Sequence, residues 1–196
     1  MTIFEINASG AFIQALAVSH RIKSDIMEIL LRAKNWQIFI ILIVGMALSN
    51  TTLHDDPTTT MIINLVGILI YFIYPFVIGY FLQDFLPKKV EVNNTFFQIN
   101  FFAWIGGYLT LMILSDGQGM TLTGLAALPF FYVLFAFLYY QAFPAKVLKS
   151  IEMKKEASLG DYFSDFILIL FLPLGVWVLQ PRINRVVEKE KAAAQA

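Results

Sequence analysis

Three stretches of this chain carry no charged residue over the distance a helix needs to cross a lipid bilayer. They are 61–82 (MIINLVGILIYFIYPFVIGYFL), 95–115 (TFFQINFFAWIGGYLTLMILS) and 122–143 (LTGLAALPFFYVLFAFLYYQAF). About 20 apolar residues, rising about 1.5 Å each, cover the roughly 30 Å hydrocarbon layer. Lipid offers backbone groups no hydrogen-bond partner, so such runs are predicted to be helices. Residues 36–53 (WQIFIILIVGMALSNTTL) make a weaker fourth span, because the purely apolar heart covers only 38–48. Trp36 at the interface and snorkelling of Arg32 and Lys34 would let it reach across. Composition agrees. Apolar residues make up 58% of the chain and charged residues 14%, against about 25% charged in soluble domains.

A fifth apolar run, 166–179 (FILILFLPLGVWVL), would cover only about 21 Å as a straight helix. Pro173 removes a backbone donor within it, and Gly175 loosens it further. Charge decides between crossing and turning back, because short loops rich in Lys and Arg stay cytoplasmic. The loops 50–60 and 115–121 contain neither residue. Four crossings place every Lys and Arg of the chain on the inside. A fifth would strand Arg182, Arg185, Lys189 and Lys191 outside. The expected fold is therefore an all-α integral membrane protein with four transmembrane helices and a C-terminal re-entrant or interfacial segment. Five transmembrane helices are the alternative.

This gives five segments: a cytoplasmic amphipathic arm (1–35), the transmembrane bundle (36–143), a basic cytoplasmic loop (144–165), the re-entrant segment (166–180) and a cytoplasmic tail (181–196). In the arm, Phe12, Leu16, Ile22, Ile26 and Leu30 recur at helical spacing opposite Arg21, Asp25, Glu28 and Arg32. In the loop, Val147, Leu148 and Ile151 suggest a short basic helix ended by Gly160. The first 20 residues carry no Lys or Arg, so no cleavable signal is expected. Insertion through the chain's own spans suits the bacterial inner (plasma) membrane, with the N-terminus cytoplasmic.

Motifs that carry chemistry are sparse. The chain has no cysteine, two histidines and a formal net charge of zero. That removes thiolate chemistry and gives no basic footprint for nucleic acid. His54-Asp-Asp56 and Asp116-Gly-Gln-Gly119 read as turns rather than cation loops. No catalytic, cofactor-binding or metal-binding residues are expected, and no enzyme. The spans instead contain small residues at close-packing spacing: Gly45 and Ser49 in the first, and Ala103, Gly106 and Gly107 in the third. Their polar residues are amides and hydroxyls (Asn64, Gln98, Asn100, Thr110, Gln141), which can bond between helices.

Residues 171–184, FLPLGVWVLQPRIN, resemble a C-terminal pattern of uncharacterised small multi-pass bacterial inner-membrane proteins: an apolar run, Pro-x-Gly, Trp, then Gln-Pro-Arg-x-Asn. The likeness covers 14 of 196 residues and brings no activity with it. Physically, Pro173 and Gly175 would turn the chain and Trp177 would sit at the interface. Gln180 would satisfy a freed backbone group, and Arg182 and Arg185 would hold headgroup phosphates. The function expected is a non-enzymatic membrane subunit, assembly factor or scaffold, with the lipid bilayer and other membrane-protein subunits as partners. The alternative is a small transporter or channel for a small or lipophilic solute.

Overall fold

The computed structural model describes residues 29, 31–53, 56–115 and 124–195. Most of the N-terminal arm, His54, Asp55 and the turn 116–119 lie outside the described residues. Those described form six helices and no strand: α1 (Asn35–Ser49), α2 (Pro57–Phe81), α3 (Asn94–Leu114), α4 (Leu128–Met153), α5 (Leu159–Leu170) and α6 (Leu172–Gln195). A 3-10 turn, Leu82–Phe85, prolongs α2. Three helical stretches are long and apolar enough to cross a membrane: Pro57–Phe85, Asn94–Leu114 and Leu128–Met153. They suggest a multi-pass membrane protein. At 15 residues, α1 covers only about 22 Å.

Local chemistry sets the helix starts. Asp56 caps α2 by accepting from the Thr59 amide at 2.9 Å, and Pro57 follows in the first turn, where no amide hydrogen is needed. Asn93 caps α3 through the Phe96 amide at 2.8 Å. Ser158 and Asp161 form a capping box on α5. Pro129 also occupies a first turn, that of α4; the helix therefore begins several residues later than 122.

Between α1 and α2 the backbones nearly touch. A Cβ placed on Gly67 would lie 2.3 Å from the Ser49 nitrogen and 2.6 Å from the Gly45 carbonyl. Asn64, with its amide oriented to match the surrounding carbonyls, donates to Leu48 at 2.9 Å and Thr51 at 2.8 Å. The contact between α2 and α3 is made by large rings instead. Phe76 stacks on Phe101 (4.2 Å) and Phe72 meets Trp104 edge-on (4.5 Å). On α4, Phe143 stacks on Phe97 at 4.3 Å, so α4 lies at the centre of the aromatic core.

The α3–α4 contact depends on Gly107, where an added Cβ would come within 2.2 Å of the Val133 side chain. Gly107→Leu is expected to lower stability by about 1–3 kcal/mol through overpacking. Thermal unfolding in detergent measures this, and an unchanged midpoint would contradict it. Gly106, one residue on, faces open space, and Ala103 is half-buried.

Two segment boundaries differ from expectation. Residues 144–153, expected as a short helix within a cytoplasmic loop, are helical but not a separate helix. They continue α4 through Pro144 with Ala145, Val147, Leu148 and Ile151 buried. The helix ends at Lys154 in the left-handed conformation (φ 54°), not at Gly160, which lies in the first turn of α5. Nor is 181–195 a loose tail. It completes α6, whose Leu179, Ile183, Val186 and Val187 are buried at helical spacing.

Candidate functional site

Polar side chains are scarce in the interior, and the largest group of them gathers where α4, α5, α6 and the start of α1 meet. The α5–α6 pair creates this place. Helix α5 ends at Phe171, whose carbonyl accepts from the amides of Leu174 and Gly175. Helix α6 then runs back along α5. A Cβ on Gly175 would stand 1.9 Å from the Leu168 carbonyl oxygen; only a residue without a side chain permits this approach. Farther from the corner, Arg182 reaches Asp165. The two contacts define an antiparallel helical hairpin. Its turn lies at Phe171, not at Pro173–Gly175. Pro173 stands in the first turn of α6, where its missing amide hydrogen costs nothing.

Arg182 is gripped on two sides. Its Nη1 and Nη2 donate to Asp165 at 2.5 and 2.8 Å, while Nε and Nη2 donate to Glu152 at 2.8 and 2.7 Å. Asp165 is 3% exposed. Hydrogen bonds to Asp165 first, and then to Glu152, raise the guanidinium's pKa further. The headgroup-phosphate role expected for Arg182 meets a different arrangement, since two carboxylates already fill its fork. Arg185 is exposed.

Two residues before Arg182 on α6, fully buried Gln180 links that helix to α2 and to the segment before α1. The Tyr74 hydroxyl of α2 donates to its Oε1 at 2.5 Å. Its Nε2 donates to the Ala33 carbonyl at 3.1 Å and to Asn184 Oδ1 at 2.9 Å. Asn184 Nδ2 also reaches Ala33, at 3.3 Å. Ala33 precedes α1, so its carbonyl has no place in a helical ladder, and Gln180 and Asn184 meet its demand. Trp177 is half-exposed against Phe39, with ring centroids 5.6 Å apart.

These clusters hold helices together. Among the described residues, no three His, Cys, Asp or Glu side chains gather as metal ligands would. A cleft of about 340 Å³ lies between the segment before α3, the middle of α4 and α5. Glu91, Asn93, Tyr139, Phe143, Lys146 and Tyr162 are among its lining residues. Lys146 donates to Glu156 at 2.7 Å, and this bond holds the Glu156 carboxyl below the usual range.

Of the residues expected from sequence, Gly175, Gln180 and Arg182 come together at the hairpin, and Gly45 and Ser49 meet α2. Ala103, Gly106 and Gly107 belong to α3, away from the hairpin cluster. Sequence reading missed Glu152, Asp165, Tyr74 and the cleft. Asp165 left one signal, an acid followed directly by an apolar run. Comparison of the chain with protein-family models, curated proteins and solved structures returns no match.

Proposed function

We propose that the chain is a non-enzymatic integral membrane subunit or scaffold of a larger membrane complex. In this reading α1 to α4 cross the inner membrane, the N-terminus is cytoplasmic, and the α5–α6 hairpin enters the cytoplasmic leaflet and returns. One observation carries it: the strongest polar groups are spent on holding helices, while large apolar side chains face outward. Arg182, Gln180 and Tyr74 point inward to protein partners. Ile41, Val44, Ile62, Phe102, Ile113 and Phe131 are exposed on the four proposed spans. On the hairpin, Leu159, Phe163, Ile167, Phe171, Leu174 and Val178 make a continuous exposed stripe. In water such a surface would drive association; hydrocarbon or a second membrane subunit covers it without cost. With Trp36 at the interface, local thinning of the bilayer and snorkelling of flanking residues accommodate the short α1.

A transporter remains the second reading, favoured by Asn100 Oδ1 and Gln141 Oε1. Both amide oxygens are buried without a hydrogen-bond partner, and each could accept from a passing donor. Purification in mild detergent with mass spectrometry of accompanying chains separates the readings. The subunit reading expects partners at fixed stoichiometry. A chain that purifies alone and moves solute across liposomes would overturn it.

A further inference from the structure

We propose that the cleft beside α3 binds a phospholipid headgroup bearing a primary amine, with the acyl chains lying along α3 and α4. The assignment rests on the reading of α3 and α4 as membrane spans. Position is the first ground. Helix α3 enters its apolar run immediately after Asn93, and Lys146 lies beyond the apolar run of α4. The cleft therefore sits at the level where headgroups meet hydrocarbon. One turn deeper, half-exposed Phe96 and Phe135 flank Tyr139, at 4.8 and 6.0 Å between ring centroids. Leu138 and Ile99 continue the exposed apolar surface. An amphiphile thus meets a polar socket above and an aromatic-lined track below.

Charge selects the headgroup. Glu91 and Lys146 line the cleft, one charge of each sign, and Glu156, outside the lining, holds Lys146. A purely anionic headgroup would place a second negative charge beside Glu91 and leave that carboxylate unanswered. A zwitterion fits better, its phosphate accepting from Lys146 and the tyrosine hydroxyls and its amine donating to Glu91. Lys146 has three donors and uses one on Glu156, leaving capacity for phosphate oxygens. The volume lies within the range of small-ligand pockets.

The test is native mass spectrometry of the full chain in detergent. It is offered phosphatidylethanolamine and phosphatidylglycerol of identical acyl chains, with soluble glycerophosphoethanolamine as competitor. Phosphatidylethanolamine should be retained about tenfold over phosphatidylglycerol, the effect of one charge-assisted hydrogen bond. Glu91→Gln, an exposed position, should bring the two lipids to parity, and Tyr162→Phe should weaken retention while leaving unfolding unchanged. Equal retention, or preference for phosphatidylglycerol, would overturn the proposal. Full competition by the soluble headgroup would also overturn it in favour of a free phosphoester site. If the chain retained neither lipid and stayed in the aqueous phase on detergent partitioning, the spanning reading itself would fall.

Discussion

Arg182→Met is expected to cost about 3–5 kcal/mol, lowering the thermal midpoint in detergent by on the order of 10 °C. The size follows from what remains. Asp165, 3% exposed, would lose both of its bonds from the guanidinium and stand as a buried charge without a cation. Glu152 is more exposed and can turn to water, so Glu152→Gln should cost less. Replacing both partners, Arg182→Met with Asp165→Leu, should restore much of the stability, because an apolar pair leaves no orphaned charge. Equal unfolding midpoints for wild type and Arg182→Met would refute this role.

Gly175→Val should be as severe, at about 3 kcal/mol or more, the upper end of overpacking costs. The atom in the way is the Leu168 carbonyl oxygen, 1.9 Å from the would-be Cβ, and backbone inside a helix cannot rotate aside. The hairpin would have to open, pulling Arg182 away from Asp165. Gly175→Val and Arg182→Met should therefore combine to less than the sum of their separate costs. Additive effects, or a stable Gly175→Val, would show that the hairpin does not depend on this contact.

The apolar runs were plain in the sequence because charge-free stretches near bilayer length have few other fates. Where helices end was less plain. Hydropathy marks where lipid stops, and α4 continues past that level by burying Val147, Leu148 and Ile151 against protein. The spacing of Val147, Leu148 and Ile151 showed a helix there, but nothing local showed that it was continuous with the span before it. Proline misled in the same way: Pro173 looked like an interruption, yet it stands in a first turn and marks a beginning. The α1–α2 approach was half legible, since Gly45 and Ser49 showed a small face whereas Gly67 went unremarked. The Arg182 clamp was hidden because its partners lie 17 and 30 positions away. Only the hairpin and the end of α4 bring them together. The cleft left no local pattern at all, being assembled from one loop and two helices.

The central claim is that α5 and α6 enter and leave the membrane on the same, cytoplasmic side. Because the chain has no cysteine, single cysteines report position without background. Thr58→Cys lies at the start of α2, in the proposed outer loop, and Ala194→Cys near the end of α6. Intact cells would be treated with a membrane-impermeant maleimide. The account predicts that Thr58→Cys labels at once and that Ala194→Cys stays dark until the cells are lysed. Labelling of both positions from outside would mean that the hairpin crosses, contradicting the proposed topology.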